Sequence, residues 1–193
     1  MDISTLSVPT QRVIETIAAQ LANYEKALQG VAVTISEREL VCRRGKLIVE
    51  ATHEERRILD REQTFDDLVN LREIFADPGH VFEELPGSQP NQNRVRVTHT
   101  LSARLGLSGG TREDVAITLT LSRSPARVLR MEAEAVHLPL WLRLLLKSQA
   151  TEVVFDYVHG VPVPTSLRQH IASRGIGWLR LGGGKEIDVQ YRG

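Results

Sequence analysis

A chain of 193 residues with 41% hydrophobic and 25% charged side chains can bury a core of useful size and is far from disordered or collagen-like compositions. Its 24 basic and 24 acidic residues cancel, so nucleic acid or an anionic surface would have to be met by a local patch and not by a global field. Cys42 is the single cysteine, which excludes an intrachain disulfide and a metal site built on cysteines. The amino terminus lacks a basic start followed by an apolar run, so no targeting segment is expected and the protein reads as cytoplasmic. The longest apolar stretch, Leu138 to Leu146, is interrupted by Pro139 and Arg143 and is far short of the roughly 20 residues that cross a bilayer; no membrane association is expected.

Val13, Ile14, Ile17, Leu21, Tyr24 and Leu28 recur at helical spacing, Pro9 suits a first turn and Gly30 an end, so residues 8 to 29 are predicted as an amphipathic helix. Short runs of β-formers follow at Val31 to Ile35, Glu39 to Arg43 and Lys46 to Ala51, with Arg44-Gly45 as a tight turn; they predict a small antiparallel unit. From Thr64, the spacing of Phe65, Leu68, Val69, Leu71 and Phe75 returns to helical period, and Asp77-Pro78-Gly79 stops it. Residues 86 to 93, a polar run of turn formers, mark the best internal boundary. They divide an amino-terminal part, 1 to 85, from a core at 94 to 193, unless the two form one continuous domain.

Beyond the boundary, three β-like segments are expected at 94 to 103, 114 to 122 and 126 to 135, with Ser124-Pro125 at the bend between the last two. The remainder predicts a helix from Pro139 to Gln149, a strand at Glu152 to Val158 and a helix from Ser166 to Arg174. A strand at Ile176 to Leu181, a glycine turn at 182 to 184 and a strand at Glu186 to Tyr191 complete the chain. Alternation of strand and helix implies an α/β or α+β fold, a mixed sheet flanked by helices.

Charge is unevenly placed. Residues 50 to 85 hold eleven acidic and four basic side chains, whereas 93 to 131 hold seven arginines against Glu113 and Asp114. This asymmetry suits either two solvated faces or an anion-binding surface. If the segments 114 to 122 and 126 to 135 pair as a hairpin, Asp114, Glu132 and Glu134 share a polar face. Three carboxylates so gathered repel one another and sit either in open water or around a divalent cation. The six histidines show no zinc spacing, and none is assigned to metal.

From Asp114 to the carboxyl terminus the chain resembles the restriction-endonuclease-like nuclease superfamily. Its motif of an acidic residue, then an acidic residue, any residue and lysine on the next strand corresponds to Glu113-Asp114 and Glu132-Ala133-Glu134, and Arg174-Gly-Ile-Gly-Trp-Leu-Arg-Leu adds to the likeness. The resemblance implies a restriction-endonuclease-like core that binds Mg²⁺ or Mn²⁺ through Asp114 and Glu132, with Glu134 as third ligand or base. It also implies phosphodiester hydrolysis on nucleic acid, with Arg127, Arg130 and Lys147 holding phosphate oxygens. The chain departs from the family at the catalytic lysine, whose place is taken by Glu134. The leading expectation is therefore hydrolysis or binding of nucleic acid, and the missing lysine favours the alternative, a non-enzymatic adaptor or oligomerising module. A β-rich cavity for a small apolar ligand is a further alternative.

Overall fold

A computed structural model describes residues 2–43, 46–59, 71–76, 80–86, 89–98, 115–135, 146–173 and 182–192. Among the described residues, three helices, α1 (Val8–Leu21), α2 (Tyr24–Leu28) and α3 (Leu71–Ala76), lie on one sheet of nine strands. The strands are β1 (Ala32–Arg43), β2 (Lys46–Ile58), β3 (Val81–Leu85), β4 (Gln92–Thr98), β5 (Val115–Arg123), β6 (Ala126–Ala135), β7 (Leu146–Val158), β8 (Val161–Ser173) and β9 (Gly182–Arg192). Their order is β2-β1-β9-β8-β7-β6-β5-β4-β3, and every pairing is antiparallel.

Successive side chains of a strand point to opposite faces, and the register aligns like with like across the sheet. On the helix side, Val95, Leu119, Met131, Val153, Leu167 and Ile187 stand directly opposite one another through six strands, and all six are buried. Each such side chain contributes about 1.5–3 kcal/mol on burial. Against this row α1 lays Val13, Ile14, Ile17 and Leu21, one stripe of a 3.6-residue period, in contact with β5, β6 and β8.

Four one-residue irregularities adjust the ladders, one of them at Lys147 near the start of β7. Leu129 has no partner between Thr120↔Arg130 and Leu121↔Val128, so the inward parity of β6 shifts and Val128 is buried in place of Leu129. Thr165 of β8 and Glu50 of β2 are unmatched in the same way. The end of the β7–β8 hairpin is paired within itself, because β6–β7 pairing begins at Arg130↔Val154 and β8–β9 pairing at Ser166↔Asp188. Pro162 and Pro164, which cannot donate to a ladder, fall in this stretch. A tyrosine hydroxyl bridges each gap: Tyr157 accepts from the Val128 N–H at 2.8 Å, and Tyr191 donates to the Pro164 carbonyl at 2.8 Å.

The expected α/β architecture is therefore corrected to a mostly-β one, without a mixed sheet or a restriction-endonuclease-like core. Residues 146 to 149, expected as helix, open β7, and the rest of that expected helix lies outside the described residues. Residues 166 to 173, also expected as helix, continue β8. Leu167 and Ile171 are four apart, a spacing that fits one face of a helix and one face of a strand alike, and pairing on both sides of β8 decides it. The expected glycine turn at 182 to 184 is the start of β9. A Cβ on Gly183 would come within 2.6 Å of the Leu40 carbonyl, and one on Gly184 would collide with the Gln169 carbonyl, so these glycines serve close strand approach. The amino-terminal β unit is present as β1 and β2, and β1 also pairs with β9. The segments expected at 114 to 122 and 126 to 135 do pair as an antiparallel hairpin over their described residues, β5–β6 from Val115 on. The turn at 44–45 and the strand at 176 to 181 lie outside the described residues.

The start of α1 is secured from the far end of the sheet. Ser7 precedes the helix without a side-chain cap; instead the Glu84 carboxylate of β3 accepts from the Ser7 N–H at 3.2 Å and the Thr10 hydroxyl at 3.1 Å, an anion placed where the helix exposes unpaired donors. Burial pushes the Glu84 pKa up, but hydrogen bonds from Ser7 and Thr10 and the charge of Arg123 together hold it below 4.5. A lowered folded-state pKa stabilises above the unfolded value, and that stabilisation is lost as pH falls through the folded value. Glu84→Gln is therefore expected to melt below the native protein at about pH 7 and to match it at about pH 3, by thermal denaturation followed at both pH values.

Candidate functional site

On the face opposite the helices, a second row runs through all nine strands: Glu83, Arg96, Thr118, Glu132, Glu152, Arg168, Glu186, Arg38 and Thr52 stand in direct register. Glu132 and Glu152 oppose each other there, which costs free energy unless a cation intervenes. Arginine supplies the cation. Arg130 lies 3.5 Å from one Glu132 oxygen and also pairs with Glu152, while Arg94 reaches the other Glu132 oxygen at 3.2 Å. Arg38 repeats the arrangement on β1, pairing with Glu186 at 3.2 Å and Asp188 at 2.7 Å. All these side chains are partly exposed, so each pair contributes no more than about 1 kcal/mol.

Of the residues expected to form a metal and phosphate site, Glu132 and Glu134 share this outer face of β6, two residues apart, or about 7 Å along the strand. Asp114 lies outside the described residues. The nearest opposed carboxylate is Glu152, which sequence reasoning did not single out although it opens the expected strand at 152 to 158. Among the described residues, no group of three His, Cys, Asp or Glu could hold a metal ion. Arg130 joins Glu132 as an ion-pair partner. Arg127 lies over the Tyr157 ring, 4.7 Å from its centroid, a cation–π contact. Lys147 falls at a register shift near the start of β7.

Arg94 and Arg130 flank Thr120 in one row of β4, β5 and β6. With Gln89, Gln92, Leu129 and Glu132 they line an open depression of about 460 Å³. Arg94 and Gln92 were missed in sequence. The only signal was the excess of arginine over acid between 93 and 131.

The two borders of the sheet differ. Along β3 the amino-terminal segment lies as a partial cover: Asp2 bridges Val81, the Asp2 N–H donates to the His80 carbonyl at 2.7 Å, and the Phe82 N–H donates to the Asp2 carbonyl at 3.0 Å. The Thr5 hydroxyl adds a bond to the Phe82 carbonyl at 3.0 Å. Along β2, thirteen residues pair only with β1 among the described residues. All thirteen are exposed except Arg57, and Leu47 is 49%, Ile48 39%, Val49 53% and Ile58 66% exposed. A long open edge with consecutive apolar residues is a template for another strand.

No family model, curated protein or solved structure matches this chain, and among the described residues no helix is long and apolar enough to cross a membrane. The arginine-bridged carboxylates give a direct check. Arg130→Gln is expected to destabilise by roughly 1 kcal/mol because it leaves Glu132 and Glu152 opposed, and adding Glu152→Gln is expected to recover most of that loss; urea unfolding of both variants measures it.

Proposed function

We propose that this chain is a non-enzymatic interaction module that engages a protein partner through the open edge of β2. One observation carries the reading: a thirteen-residue border strand exposed almost throughout on a sheet whose opposite border carries the amino-terminal segment. An extended partner segment added to such an edge gains main-chain hydrogen bonds, and alternate side chains set its specificity. Leu47, Ile48 and Val49 would supply apolar contact, and the Glu54-Glu55-Arg56-Arg57 run would select against wrongly charged partners. Glu132, expected as a metal ligand, is in this reading a component of a surface ion-pair row. The edge is tested with two immobilised baits, the native chain and a Leu47→Lys/Val49→Lys variant, in which charge is introduced as edge strands commonly carry it. Proteins retained from a cell extract by the native bait alone support the reading; identical retention by both baits overturns it.

A second reading, binding of a phosphodiester without hydrolysis, is favoured by the depression that Arg94 and Arg130 line together with Gln89, Gln92 and Thr120. Planar guanidinium groups suit phosphate oxygens, although Glu132 competes for both arginines. Labelled single- and double-stranded oligonucleotides in an anisotropy titration decide it. Arg94→Ala/Arg130→Ala is expected to lower the salt slope of binding by about 2, and absence of binding by the native chain at low salt ends the reading.

A further inference from the structure

We propose that the partner of the β2 edge is a second copy of this chain, paired antiparallel about a two-fold axis at Ile48 so that two sheets become one. This rests on the reading of β2 as a docking edge and names its occupant.

The segment Lys46-Leu47-Ile48-Val49-Glu50 is complementary to its own reversal. With the axis at Ile48, Lys46 faces Glu50 of the second copy, Leu47 faces its Val49, and Ile48 faces its Ile48. Two opposite-charge pairs thus flank three apolar pairs, each an arrangement that stabilises neighbouring strands. Bonding pairs and non-bonding pairs alternate along an antiparallel ladder, so a two-fold axis normal to the sheet must place one residue opposite itself. That requirement disfavours registers centred on the charged run: an axis at Glu54, Glu55, Arg56 or Arg57 sets like charges face to face at the centre. The exposures at Leu47, Ile48 and Val49 leave the segment accessible. Glu50 already contacts Arg43 of its own chain at 3.0 Å on the surface, and its second oxygen can accept from a lysine.

The register shift at Glu50 limits the pairing. It bends β2 beyond Val49, so the flat part of the edge is short and the contact is of the small, transient kind. A method that traps brief encounters is therefore appropriate. In a Cys42→Ser background, which removes the native thiol, Ile48→Cys brings two thiols together on the axis. Facing positions of antiparallel strands have Cβ atoms roughly 4.5–5.5 Å apart, close to disulfide reach.

On mild oxidation of the purified chain, Ile48→Cys is expected to form a disulfide-linked dimer, whereas Thr52→Cys in the same background stays monomeric. Lys46→Glu added to Ile48→Cys should slow cross-linking about tenfold, and Lys46→Glu/Glu50→Lys should restore it, because reversal of both charges rebuilds the pairs only in this register. Equal cross-linking of Ile48→Cys and Thr52→Cys, or indifference to Lys46→Glu, overturns the proposal. If the purified Ile48→Cys chain fails to cross-link while partner retention still depends on Leu47 and Val49, self-pairing is wrong and the docking edge stands; if retention is also independent of these residues, both fall.

Discussion

Register is the constraint on which the molecule depends. Because side chains alternate with period two, a slip of one residue in any ladder would carry an apolar row to water and a charged row beneath α1. The aligned row of Val95, Leu119, Met131, Val153, Leu167 and Ile187 fixes the sheet from inside. The outer row only follows, and the close approach of Glu132 to Glu152 is a by-product of that alignment. Arginines on β4 and β6 turn it into an ion-pair array. On that face the surroundings of Glu132 are the partners that register brings to it.

The parts of the fold legible in sequence were those with one dominant period. The α1 stripe is unambiguous because Val13, Ile14 and Ile17 cannot share a strand face. The β5–β6 hairpin is legible because both arms alternate cleanly, although the parity change at Leu129 is invisible without its partner strand. Spacing by four hid β8. Glycines hid only the start of β9, whose residues Glu186 to Tyr191 read as a strand, since a residue favoured in turns is also the one that lets two backbones come close. The His159-Gly160 turn, with both residues at positive φ, has the chemistry of a two-residue hairpin loop and was the overlooked signal that β7 and β8 belong together.

The candidate site was legible in composition and not in geometry. Glu132 and Arg130 lie two positions apart on one strand, so their common face follows from alternation. Arg94 and Glu152 reach the same place from β4 and β7, at sequence distances that no local pattern spans. The expected mixed sheet failed for a related reason: a short acidic motif constrains two strands, whereas the seven others decide whether those strands lie in a mixed or a wholly antiparallel sheet.

The strand order has a consequence in time. From β3 to β9 each strand lies beside its successor, so that meander can grow by short-range closures as the chain lengthens. β1 is different: its neighbour on one side is β9, and Ala32 is paired with Arg192. The first hairpin of the chain must therefore wait for the last strand before it joins the sheet, with a large loop to close and little local reward for doing so. Until then both borders of that hairpin are open to any passing strand, which makes the interval before β9 docks the most hazardous in the life of the protein.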